Sequence, residues 1–128
     1  MDNDKTILIV DDESHILHVL DLKLSNAGFN VVTAEDGEEA FEIAIDKTPD
    51  LVITDYQMPV MNGLELSQKL RENDSTSSTP ILMLTARGAN LAEGDIDETN
   101  IAAVLSKPFS PREILARVQK LVEWRKSA

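Results

Sequence analysis

Apolar residues along the chain gather in five short runs separated by stretches of helical period. The runs TILIV (6–10), LVIT (51–54) and ILML (81–84) are continuously apolar rather than alternating. A strand covered on both faces reads this way, as in a parallel sheet. FNVVTA (29–34) is more mixed and AAVL (102–105) is weaker. Between the runs, residues 14–27 carry Ile16, Val19, Leu20, Leu24 and Ala27 at i, i+3, i+4 spacing and end at Gly28, a natural helix-stop residue. Residues 37–47 repeat the pattern with Ala40, Phe41 and Ala44, and residues 63–72 with Leu64, Leu66 and Leu70. The last helix, 110–125, opens with Ser110, Pro111 and Glu113, a capping-box start with proline at the first helical position. Its stripe is Ile114, Leu115, Val118, Leu121 and Val122. The stretch 88–99, with Gly94 in its middle and the acids Glu93, Asp95, Asp97 and Glu98, reads as a weak helix. Strands alternating with helices predict an open α/β sheet with right-handed crossovers and helices on both faces.

That topology decides which residues meet. The C-terminal ends of parallel strands share one edge, and ligands bind there. Asp11, Asp12 and Glu13 follow the first run, Asp55 the third, Thr85 and Ala86 the fourth, and Lys107 and Pro108 the fifth. Carboxylates, a hydroxyl and an ammonium are therefore expected around one pocket. Close carboxylates repel by roughly 1 kcal/mol per pair in water, and several times more at a partly buried edge. Gathering them implies a cation. An all-oxygen set without His or Cys suits Mg²⁺, a hard ion that often binds phosphate oxygens. Lys107 adds a second positive centre, Thr85 a hydrogen-bond donor, and small Ala86 leaves room for an incoming group. Together they can stabilise the spread charge of a phosphoryl group in transfer. A carboxylate can itself be the nucleophile. Asp55 is the candidate, because Asp11 and Asp12 are adjacent and better placed to hold the metal.

Composition removes other classes. The 128 residues fit one domain, 1–128, with a core from about 6 to 124. The net charge of −11 disfavours direct contact with nucleic acid or an anionic membrane. The chain has no cysteine, so disulfides, zinc–thiolate sites and thiol chemistry are absent. No apolar run approaches the roughly 18 residues of a membrane span. The N-terminus MDNDK is short and acidic, unlike a targeting peptide. The expected setting is the cytoplasm.

The segments ILIVDDE, LVITDYQMPVMNG, PILMLTAR and LSKPF, in this order and at these intervals, resemble the receiver domain of two-component response regulators. The resemblance covers nearly the whole chain, from about Thr6 to Trp124. It implies a doubly wound, flavodoxin-like parallel sheet of five strands in the order 2-1-3-4-5. It implies phosphorylation of Asp55 by a sensor histidine kinase or histidine phosphotransfer protein, with the altered surface read by a further protein partner. It also implies Mg²⁺ held by Asp12 and Asp55 with help from Asp11 and the Gln57 carbonyl. Thr85 and Lys107 become phosphoryl contacts, Gln57 and Arg87 flank the pocket, and the Lys107–Pro108 bond is often cis.

The chain departs from that pattern at one switch position. Such receivers usually carry Tyr or Phe three residues before the lysine, where this chain has Val104. The aromatic normally rotates as the threonine hydroxyl moves, whereas Val104 is β-branched and has no ring. Ala102 and Ala103 stand where DNA-binding regulators often have acids for a salt-bridged dimer, so that dimer is not expected. Val104 supports a rival reading, a phosphorylation-independent interaction module. A metal-dependent phosphatase is a third class, but Gln57 stands where it needs a second acid. Glu13 reads as a helix-start residue and His15 and His18 as exposed helix histidines without a third ligand. Met58 and Met61 read as packing beside the site, Gly63 as the start of a tight turn, and the acid run at 35–39 as a solvated face.

Overall fold

The computed structural model describes residues 5–86 and 99–127, with side chains to Glu123. The elements run β1 (Thr6–Val10), α1 (Ser14–Asn26), β2 (Asn30–Ala34), α2 (Gly37–Lys47), β3 (Leu51–Asp55), α3 (Gly63–Glu72), β4 (Ile81–Thr85), β5 (Ile101–Ser106) and α4 (Pro111–Ser127). Among the described residues the five strands form one parallel sheet in the order β2-β1-β3-β4-β5. Arg87 and all of the 88–99 stretch except Thr99 lie outside the described residues.

The continuous apolarity of the central strands has its cause in two packed layers. Successive strand side chains point to opposite faces. Ile7 and Ile9 pack with Leu17, Leu20 and Leu24 of α1 and with Ile114, Val118 and Val122 of α4. Leu8 and Val10 pack with Ala40 and Ala44 of α2 and with Leu66 and Leu70 of α3. The outer strands are less covered: β2 buries only Ala34, and β5 buries only Ile101. Their weaker sequence signal follows from that position.

Three helix ends match their residues. Phe29 N–H donates to Leu24 O and Gly28 N–H to Ser25 O, with Gly28 at φ 98°. This is the Schellman arrangement, which needs the positive φ that glycine adopts without a Cβ clash. Asn62 and Glu65 close a capping box on α3. Ser110 Oγ accepts from Glu113 N–H, which fixes the start of α4. The α1 stripe differs from the expected one. Leu17, absent from the i, i+3, i+4 series read above, is buried, whereas Val19 is 39% exposed. Six apolar residues crowd positions 16–24, so the period has two phases. The sheet selects Leu17, Leu20 and Leu24, and leaves Ile16 and Val19 lining a groove with Lys107, Pro108 and Phe109.

Candidate functional site

The parallel register assembles the site. Val10 lies opposite Thr54 and Thr85 opposite Ser106. The next residues, Asp11 and Lys107, therefore leave the sheet at the same edge as Asp55. Oxygen atoms of Asp11, Asp12 and Asp55 lie within 4.8 Å of one another. Lys107 Nζ is 3.4 Å from Asp55 Oδ1. Lys107 N–H also donates to Thr85 O at 2.7 Å, which ties the ammonium-bearing loop to the end of β4. The Lys107–Pro108 peptide is cis. Asp11, Asp55 and Thr85 are buried, Asp12, Gln57 and Pro108 are exposed, and Ala86 is half-buried.

Asp11 and Asp55 are held rather than hanging. Asp11 Oδ1 accepts from Glu13 N–H at 2.9 Å, and Glu13 is the N-cap residue of α1. This role for the Glu13 backbone is invisible in a list of side chains. Asp11 Oδ2 is buried without a hydrogen-bond partner. Burial pushes the Asp11 carboxyl up from 3.8 to about 6; the Glu13 N–H opposes that, Asp55 adds to it and Lys107 offsets part. Burial also raises the Asp55 carboxyl, with the Lys107 ammonium as the main opposing influence. A buried carboxylate oxygen without a hydrogen-bond partner, close to two more carboxylates, completes an all-oxygen donor set that fits a hard divalent cation.

Gly63 does more than start a turn. A Cβ built there would sit 2.5 Å from the Asp55 carbonyl oxygen and 2.8 Å from Met83 Sδ. Only a residue without a side chain lets α3 begin this close to the end of β3. Met58 and Met61 are buried in the layer under α2 and α3, as their expected packing role requires. His15 and His18 are exposed on α1, and the metal-type cluster among the described residues does not include them. Val104 sits opposite Met83 in β5 and is 37% exposed.

A family model described as the response regulator receiver domain matches residues 7–119. The phosphate regulon transcriptional regulatory protein PhoB of Pseudomonas aeruginosa is 38% identical over 120 residues, covering 92% of this chain and 52% of that protein. The alkaline phosphatase synthesis transcriptional regulatory protein PhoP of Bacillus subtilis is 40% identical over 118 residues, covering 92% of this chain and 48% of its own. The chain thus spans about half the length of these relatives. The chemotaxis response regulator CheY4 of Vibrio cholerae superimposes with a TM-score of 0.85 at 34% identity, over 93% of this chain and 99% of that one. With the sheet order, the carboxylate edge and these matches in agreement, the chain belongs to the response regulator receiver domain family.

Proposed function

We propose that this receiver domain accepts a phosphoryl group on Asp55 from a histidine kinase or histidine phosphotransfer protein, in a reaction that needs Mg²⁺. The observation that carries the reading is the buried Asp55 carboxylate, paired with Lys107 and bordered by Asp11 and Asp12. In the transfer, an Asp55 oxygen forms a bond to phosphorus as the phosphorus–nitrogen bond to the donor imidazole breaks. The donor ring, protonated on its other nitrogen, leaves as neutral imidazole, and the phosphoryl oxygens keep their charge. β3, buried along its whole length, holds the nucleophile in line. Lys107 exchanges its Asp55 partner for a phosphoryl oxygen. The Thr85 hydroxyl donates to a second one, and Ala86 leaves space beside it. Asp11, Asp12, Asp55 and the Gln57 carbonyl would hold the Mg²⁺, which when bound neutralises charge on the transferring group. Arg87, given an accessory role by the sequence pattern, lies outside the described residues.

A receiver domain is a signalling module rather than a turnover enzyme. In this reading residues 1–128 act as one receiver unit in the cytoplasm, and the phosphorylated surface recruits a downstream protein. No helix among the described residues is long and apolar enough to cross a membrane. The test is a Mg²⁺-dependent mass gain of one phosphoryl group with acetyl phosphate, abolished by Asp55→Asn. No label under conditions that label a control receiver would refute it. Val104 supports a second reading, in which partner binding ignores phosphorylation. Equal partner affinity for wild type and Asp55→Asn would favour that alternative.

A further inference from the structure

We infer that Val60 is a contact residue for a protein phosphoryl donor docking over the carboxylate edge, an assignment that rests on the phosphoacceptor function of Asp55. Val60 lies five residues after Asp55, in the loop that leaves β3 at that edge. Met61 N–H donates to Pro59 O at 2.8 Å, with Val60 between them at φ 72°. This is a three-residue γ-turn of the positive-φ kind, which is rare and strained. The strain is worst for a β-branched residue, and glycine or asparagine relieves it. Val60 is also 86% exposed, the most exposed large hydrophobic side chain among the described residues. Its methyl groups therefore gain almost nothing from burial in the fold. Backbone and side chain both argue against valine on grounds of folding.

The loop is nonetheless fixed. Met58 and Met61 on either side are buried. Met61 packs on Gly37, where an added Cβ would lie 2.8 Å from its Sδ. Asn62 then opens the capped α3. The exposed crest is Gln57, Pro59 and Val60, so the strained turn presents an apolar side chain from a pinned base. An exposed apolar group held in a pre-set position loses little freedom on contact, which favours an interface role.

The donor is the partner that this position fits. Asp55 is only 4% exposed, at the floor of the edge. Acetyl phosphate is small enough to reach it without touching the crest. A protein that delivers a phosphohistidine to a recessed carboxylate must cover the loops around it, and this loop is covalently continuous with the acceptor strand. Val60 therefore discriminates between donors.

The experiment compares wild type, Val60→Gly, Val60→Asn and Val60→Ile. Two donors are used: acetyl phosphate, and the purified histidine-kinase domain that labels wild type fastest in a panel. Gly and Asn variants are expected to have urea midpoints at or above wild type. Their labelling by acetyl phosphate stays within twofold. Their kcat/KM for transfer from the kinase falls at least tenfold, chiefly through KM, and Val60→Ile keeps most of it. Unchanged kinase transfer in both variants overturns the proposal. So does an equal loss with both donors, which would make Val60 a determinant of loop geometry. A wild type labelled by acetyl phosphate but by no kinase in the panel overturns the choice of occupant. If acetyl phosphate fails to label wild-type Asp55, the phosphoacceptor reading itself falls and takes this proposal with it.

Discussion

Replacing Asp11 by Asn should stabilise the metal-free protein at neutral pH. Asp11 is 1% exposed, and one of its oxygens has no partner. Its carboxyl is raised from 3.8 to about 6, chiefly by burial. At 1.36 kcal/mol per pKa unit, the charged form disfavours the folded state by about 3 kcal/mol at pH 7.5. The direction follows from proton binding. The folded state binds this proton more tightly than the unfolded state, so stability is gained as pH falls through 6 and is fully regained below 3.8. Asn keeps the acceptor for Glu13 N–H and removes the charge. Allowing for imperfect pairing of its amide, the gain in EDTA at pH 7.5 is about 2 kcal/mol, a shift of about 1 M in the urea midpoint. The gap should shrink by about two-thirds, to about 0.6 kcal/mol, at pH 5, where Asp11 in the folded wild type is largely protonated. Saturating Mg²⁺ should reverse the order, because only wild type keeps the full ligand set. At 100 times its Kd the ion adds about 2.7 kcal/mol to the form that binds it. Urea titrations of both proteins at two pH values, with and without Mg²⁺, read all three effects. Equal midpoints in EDTA at pH 7.5, or a gap that ignores pH, would refute the reasoning.

Two further substitutions probe the frame around the site. Gly63→Ala forces a Cβ toward the Asp55 carbonyl at 2.5 Å; it should cost about 3 kcal/mol and slow acetyl-phosphate labelling, both measurable on one preparation. Thr48, exposed and left-handed at φ 43° where α2 ends, should accept glycine with a gain of about 0.5–1 kcal/mol and a Tm raised by a few degrees, leaving phosphorylation unchanged.

What the sequence reveals depends on how many faces a segment covers. β1, β3 and β4 are legible because both faces are buried and nearly every residue must be apolar. β2 and β5, at the sheet edges, blend apolar and polar positions and leave a fainter signal. The candidate ligands are legible for a different reason. A parallel sheet brings the residues after each strand to one edge, so strand assignment alone places Asp11, Asp12, Asp55, Thr85 and Lys107 together. Features that arise from two distant segments are not legible. Gly63 looks like turn chemistry until Asp55 O appears against it. Val60 looks like an ordinary loop residue until its φ is known. The partnerless oxygen of Asp11 needs the burial of its surroundings to be seen.

The place of Asp55 in the sheet has a kinetic consequence. β3 is paired on both sides, by β1 and β4, and Tyr56 N–H, just after Asp55, still donates to Leu84 O. Central strands of this kind open only with the whole domain, whereas edge strands and loops fray at lower free energy. Amide hydrogen exchange at residues 52–56 should therefore track global unfolding, and β5 should exchange faster. Asp55 thus ends one of the three doubly paired strands, while Lys107 follows an edge strand that can open without it. Signalling motion would then enter the site from the lysine side, with Asp55 as the fixed point.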